Sequence, residues 1–205
     1  MLSTRWRTVR GGLALAALAL LGLGSTPSAS AASTVTARPS AARAAEGFVG
    51  YYNVRAVHSG KCLAPEGNST GEDVAIWQQP CDGRPSQRVG LWSYGDVGGT
   101  AHYALVTDSG KCWGKNNWAG HGSVLDIVIR TTSCGTYWKE IAYSLDEYHP
   151  WGGKQIRTYN DSDGGGALCL HVHNASTGDG AGLLTQFCND TGSGARNDTF
   201  EFLPV

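Results

Sequence analysis

The side chains best placed to do chemistry in this sequence are its six cysteines, and they fall into three pairs. Cys62 follows Ser59-Gly60-Lys61 and is answered by Cys81. Cys112 follows Ser109-Gly110-Lys111 and is answered by Cys134. Cys169 follows Gly165-Gly166-Ala167-Leu168 and is answered by Cys188. The separations are 19, 22 and 19 residues. A thiol can attack a substrate, hold a metal or pair with another thiol. Zinc sites use C-x-x-C or paired-histidine spacings, and the sequence has neither. No cysteine is left over as a nucleophile, and neither a G-x-S-x-G elbow nor an H-E-x-x-H pair is present. Asp126, Asp146 and Glu147 offer an acid pair, but nothing in their spacing sets them across a cleft. The expected chemistry is therefore three disulfides, with no catalytic residue, no metal site and no cofactor.

The pairs also define what must position them. One motif, Ser-Gly-Lys-Cys, occurs twice outright, and similar spacing occurs three times, so the chain is an internal threefold repeat. The repeat selects one pairing among the many that six cysteines allow: Cys62–Cys81, Cys112–Cys134 and Cys169–Cys188, one bridge inside each copy. Each bridge closes a loop of roughly 20 residues, worth about 3 kcal/mol in the chain-entropy view.

Disulfides need an oxidising compartment, and the N-terminus supplies the route. Arg5, Arg7 and Arg10 precede an apolar run from Leu13 to Leu23 that is too short for a membrane anchor, and Ala29-Ser30-Ala31 is an A-x-A cleavage site. Residues 1–31 read as a secretory signal peptide of the general pathway, which makes the protein secreted and leaves no membrane span in the mature chain. Residues 32–47 are Ala, Ser, Thr, Arg and Pro with almost nothing to bury, so a disordered linker is expected. Without the three leader arginines, 13 basic residues stand against 17 acidic ones, a net charge of about −4. That balance argues against nucleic acid or an anionic membrane as partner and leaves neutral ligands open. A monomer is expected.

Residues 48–205 show short alternating runs cut by Gly, Asp, Asn and Ser, the mark of many short strands and tight turns. The first copy gives strands at 52–57, 61–64, 74–78 and 88–94. The second gives 103–107, 111–114, 125–131 and 139–145. The third gives 155–159, 167–172, 182–187 and 199–203. The copies span about 48–98, 99–150 and 151–205. No stretch has the apolar spacing of a substantial helix. The glycine clusters at Gly98-Gly99, Gly152-Gly153 and Gly164 to Gly166 read as turns, not phosphate cradles, because no helix follows them.

Twelve strands in three quartets is the plan of an all-β β-trefoil. With Cys-Leu or Cys-Trp opening each copy and an apolar strand closing on the second cysteine, the chain resembles the ricin-type lectin family over 48–205. The resemblance implies a six-stranded barrel capped by three hairpins, with a shallow sugar site in each copy. The family's Gln-x-Trp mark is eroded here to Gln87-Arg88-Val89 in the first copy and Asp198-Thr199-Phe200 in the third, and is matched in the second only by Lys139-Glu140-Ile141.

In the family a carboxylate follows the first cysteine by two residues, which falls on Ala64, Gly114 and His171. An aromatic platform precedes the second cysteine by two, which falls on Gln79, Thr132 and Gln186. An Asn-Gln pair closes the site, which falls on Ser86-Gln87, Trp138-Lys139 and Asn197-Asp198. Carried over residue by residue, the carbohydrate-binding candidates are His171, Gln186, Asn197 and Asp198 in the third copy and Gln79 and Gln87 in the first; the second keeps none. A pyranose wants an aromatic ring for its apolar face and polar groups for its hydroxyls. Trp113, Trp118 and His121 form a possible displaced platform. Trp77 and Trp92 alternate within strands and are expected to pack. His171 and His173 alternate too, so both are expected on one face. Sequons at Asn68, Asn174, Asn189 and Asn197 are taken as chance. The implied function is a secreted, non-catalytic protein binding extracellular or cell-wall carbohydrate. The alternative is a trefoil with decayed sugar sites that serves as a protein-interaction or inhibitor module.

Overall fold

A computed structural model describes residues 46–115, 125–135, 138–147, 152–159, 168–188 and 196–205. The leader, nearly all of the linker, Trp118, His121, Gly164 to Gly166 and Asn189 lie outside the described residues.

Among the described residues there are twelve strands. The first copy holds β1 (Gly47–Ala56), β2 (Cys62–Pro65), β3 (Ile76–Gln79) and β4 (Arg88–Val97). The second holds β5 (Thr100–Thr107), β6 (Cys112–Lys115), β7 (Ile129–Thr132) and β8 (Tyr143–Asp146). The third holds β9 (Lys154–Thr158), β10 (Leu168–Val172), β11 (Leu183–Phe187) and β12 (Thr199–Pro204). Antiparallel pairing runs β1–β4, β4–β5, β5–β8, β8–β9, β9–β12 and back from β12 to β1, so six strands close into a barrel with no free edge. The remaining strands form three hairpins, β2–β3, β6–β7 and β10–β11. This is the β-trefoil.

Threefold sequence similarity becomes threefold packing. The residue after each first cysteine, Leu63, Trp113 or Leu170, is fully buried. So is the residue five before each second cysteine: Ile76, Ile129 or Leu183. With Val54, Leu105, Ile156, Tyr143 and Phe200 they form one core where barrel meets hairpins. The three disulfides pair as the repeat requires, with Cα atoms 4.9, 5.1 and 4.9 Å apart.

The hairpins are stitched in a ring by the residue three before each second cysteine. Gln78 donates its backbone N–H to the Ala181 carbonyl and accepts from Gly180. Thr131 donates to Val74 and accepts from Asp73. Thr185 donates to Ile127 and accepts from Asp126. All three stitch residues are buried. Asp73, Asp126 and Gly180 share a left-handed backbone, at φ of 57°, 61° and 79°, which turns each N–H toward its stitch.

Two expectations need correction. The second copy enters β8 through one helical turn, α1 (Trp138–Ile141), where a strand from 139 is expected. It takes the place of the first copy's 3-10 turn, Pro85–Gln87, which likewise leads into a barrel strand. Val89 pairs with Thr107 and Tyr143 with Thr158, so Tyr143 is the counterpart of Val89. The eroded triplet of the second copy is thus Ile141-Ala142-Tyr143, two residues later than the sequence alignment sets it. Trp92 is the second correction. It is 45% exposed instead of packed, because Val89 and Leu91 hold the inward phase of β4. Trp77 is half-buried against Gly180 and Gly182 of the third copy.

Candidate functional site

The first copy holds a hollow of about 450 Å³ between its β2–β3 connection, its 3-10 turn and the β5–β6 turn of the second copy. Asn68, Ser86, Thr70, Arg84, Asp108 and Ser109 contribute to its walls. A 3-10 turn at Glu66–Asn68, with Gly67 and Asn68 both at positive φ, carries Asn68 to the rim. There its Oδ1 accepts from Ser86 Oγ at 2.6 Å and from Gln79 Nε2 at 3.2 Å. Gln79 therefore stands beside the hollow, tied to its wall. Gln87 is buried behind it. Its Oε1 accepts from the Asp82 and Gly83 amides, both at 3.1 Å, and its Nε2 donates to the Pro80 carbonyl at 2.6 Å. Gln87 thus fixes the loop after Cys81 and shapes the hollow without facing it.

The position two after Cys62 is Ala64, which is fully buried and offers no acceptor to a ligand. A carboxylate nonetheless reaches the hollow, from Asp108 in the next copy. Arg88 holds it: Arg88 Nε donates to Asp108 Oδ1 at 2.8 Å and a second guanidinium N–H reaches the same oxygen. Sequence reasoning missed both Asn68 and Asp108. The Gly67-Asn68 pair is a turn signal that could have shown the first. Asp108 belongs to another copy, and intra-repeat spacing carries no trace of it.

In the third copy the structure brings three candidates together and sends the fourth elsewhere. His171 is buried and its Nε2 lies 3.1 Å from the Phe187 carbonyl, with Asn197 and Asp198 as further neighbours. Burial pushes the imidazole below its ordinary range; Asp198, the Phe187 carbonyl and Asn197 oppose that shift. Asn197 donates from Nδ2 to the Val172 carbonyl at 2.8 Å. Asp198 is fully buried and accepts from Gln155 Nε2 at 2.7 Å. Gln186 is exposed and donates instead to Asp126 of the second copy at 2.7 Å. His173 opens a 3-10 turn, His173–Ala175, and is exposed, so the two histidines do not share one face. Among the described residues no three metal-ligating side chains cluster.

In the second copy, hydrocarbon fills the space at Gly114, the position two after Cys112. A Cβ on Gly114 would lie 2.6 Å from Thr132 Cγ2 and 3.2 Å from Ile141 Cγ2. The helical turn brings Ile141 there. Trp113 is fully buried in the core and cannot form a surface platform. Tyr143 donates to its carbonyl at 3.2 Å, and burial drives the phenol far above its ordinary range.

A family model described as ricin-type beta-trefoil lectin domain-like matches residues 42–127, a span that includes the first-copy hollow. No curated protein matches the chain. Among solved structures, the designed threefold-symmetric protein ThreeFoil is 27% identical, with a TM-score of 0.61 over 77% of this chain and 100% of its own. An exo-beta-1,3-galactanase from Clostridium thermocellum is 22% identical, with a TM-score of 0.60 over 77% of this chain and 30% of that one. The C-half of an earthworm R-type lectin, solved with GalNAc, is 14% identical, with a TM-score of 0.53 over 77% of this chain and 100% of that one. The chain thus corresponds to under a third of the galactanase. The resemblance to ricin-type trefoils holds by family model over 42–127 and by fold through all three copies.

Proposed function

Starting from a ricin-type trefoil, we propose that this protein is secreted, acts as a monomer and binds neutral extracellular or cell-wall carbohydrate without catalysis, chiefly in the first-copy hollow. The observation that carries the reading is the hollow itself. It has the size of a small-ligand site, and its largely apolar lining carries polar groups from Asn68, Ser86, Asp108 and Ser109. A sugar's hydroxyls would meet the Asn68 amide and the Asp108 carboxylate, a charge-assisted partner. Gln79 would touch ligand from the rim, while Gln87 holds the loop behind. In the third copy His171, Asn197 and Asp198 hold one another and the backbone in place, while Gln186, exposed and turned to Asp126, would meet a ligand apart from them. The three disulfides and the leader support secretion. A single site of this depth binds weakly.

The test is a glycan array on the oxidised chain, followed by calorimetry with any hit; GalNAc and β-1,3-galactan belong in the panel because related folds handle them. Asn68→Ala should weaken a hit by about fivefold to tenfold, the loss of one good hydrogen bond. A folded, oxidised protein that ignores every glycan sinks the reading.

One observation favours a second reading, in which the protein is an interaction or inhibitor module. The second-copy position is packed shut and most of the third copy's polar groups are engaged within the protein. Capture from culture supernatant separates the two. Elution by free sugar supports the lectin, and elution only by salt or denaturant supports the module.

A further inference from the structure

The first-copy hollow shares its Asp108 wall with a second surface on the barrel's outer face. Arg88, which holds Asp108, lies with its guanidinium carbon 4.3 Å from the centre of the Tyr51 ring. Phe48 lies beyond, its ring centre 4.8 Å from Tyr51 and 5.1 Å from Trp92. The three rings are 40–47% exposed, and they touch. Strand register explains the gathering: Tyr51 pairs with Gly90 and Phe48 with Trp92. A Cβ on Gly90 would lie 3.3 Å from Trp92 Nε1, 3.4 Å from Tyr51 Cε1 and 3.6 Å from Phe48 Cε2, so the missing side chain leaves room for the rings to close up. On its other side Trp92 walls a second hollow of about 340 Å³ with Tyr94, Ala104, Val106 and the Cys112–Cys134 bridge. Arg88 and Trp92 are four residues apart on β4, on the order of 13 Å. That distance is longer than one sugar ring. The charges along it are paired, Arg88 with Asp108 and Arg84 with Asp82. Paired charges suit a neutral ligand and give an anionic one no uncompensated cation.

We propose that the first-copy hollow and the Phe48–Tyr51–Trp92 platform form one continuous track for a neutral polysaccharide chain. Sugar rings stack on Trp92 and Phe48, and hydroxyls meet the Arg88–Asp108 pair between platform and hollow. The proposal rests on the carbohydrate-binding reading above and extends it from a single sugar to a chain.

The test is affinity electrophoresis of the full oxidised protein through gels containing hydroxyethylcellulose, xylan or β-1,3-galactan, beside calorimetry with mono- to hexasaccharides of the retarding polymer. Affinity should rise with chain length and change little with salt. Trp92→Ala and Phe48→Ala should each weaken polysaccharide binding by about tenfold, leave monosaccharide binding unchanged and keep the melting temperature, because both rings are exposed. Trp92→Tyr should restore most of the loss, since a ring is all the stack requires. Retardation that survives both alanine variants overturns the track while leaving carbohydrate binding intact. No retardation of folded protein in any gel overturns both. If sedimentation shows a dimer that Trp92→Ala dissolves, the platform is an interface between copies and the track is wrong.

Discussion

Gln78 Nε2 donates to the Ser176 carbonyl at 2.7 Å, joining the first copy to the third across 98 positions of sequence. The same nitrogen donates to the Gly178 carbonyl at 2.6 Å, and Oε1 accepts from Ser59 Oγ at 2.8 Å. With its two backbone bonds to Gly180 and Ala181, this residue is hydrogen-bonded at every polar atom it has except spare lone pairs. Gln78→Ala should therefore cost roughly 2–3 kcal/mol, since it removes three hydrogen bonds made by one fully buried side chain, although His58 Nε2 still reaches the Ser176 carbonyl. Urea denaturation of the oxidised protein measures it. A loss below about 0.5 kcal/mol would show that water replaces the amide and that the stitch is dispensable.

Removing the third bridge with Cys169→Ser and Cys188→Ser together should cost about 3 kcal/mol, from the entropy the unfolded loop regains. The bridge joins residues 19 apart, like the first. Removing Cys62–Cys81 by the same double change should cost about as much. Unequal losses, read by denaturation of each double variant, would show that loop closure is not the main contribution.

Gly114→Ala tests whether the second copy is packed shut. The new methyl meets Thr132 Cγ2 at 2.6 Å, and Thr132 pairs with Cys112 in the hairpin. Overpacking of this kind costs about 1–3 kcal/mol. Thr132→Ser added to it should recover most of the loss by removing the clashing methyl. An unchanged midpoint for Gly114→Ala would mean there is free space beside β6.

His171 predicts a pH dependence. Burial, the largest influence, lowers its folded pKa below the ordinary 6.5, so the unfolded chain binds the proton more readily. Stability contributed by the neutral imidazole is full above the unfolded value, falls as pH drops below about 6.5, and stops falling once pH is under the folded pKa. His171→Gln should flatten that part of the profile. The paired acids Glu72 and Glu147 are held below their ordinary 4.5 by Lys111 and Lys154, so they matter only in a lower window. NMR titration of the ring gives the sign directly: a midpoint above 6.5 would refute it.

The architecture was legible because disulfides and core positions recur at fixed offsets from each first or second cysteine. Cys62 and Leu63 have counterparts in Cys112 and Trp113, and again in Cys169 and Leu170. The candidate site was legible only in part. Spacing within a copy leads to Gln79, which stands beside the hollow, and to Gln87, which is buried and braces the loop behind it. It does not find Asp108, which enters from the next copy, or the short helix that moves the second-copy register by two. Trp92 was misjudged although its phase was readable. It alternates with Val89 and Leu91, which fill the core, so the sheet had to turn it outward. For Trp92 alternation told which residues share a face and not which face would be covered; for His171 and His173 it failed even there, because the strand ends at Val172.

The ring of stitches bears on how the chain assembles. A ribosome delivers the first copy early, yet Gln78 must wait for Ser176, Gly178 and Ala181 before its amide groups find partners. Neither the first hairpin nor the barrel seam of β1 against β12 can settle until the last quartet has emerged. Commitment to the native state therefore comes late and all at once, as expected where most contacts are distant in sequence. A chain cut short after two quartets would keep its local sulfur links and still have nothing to fasten its beginning to.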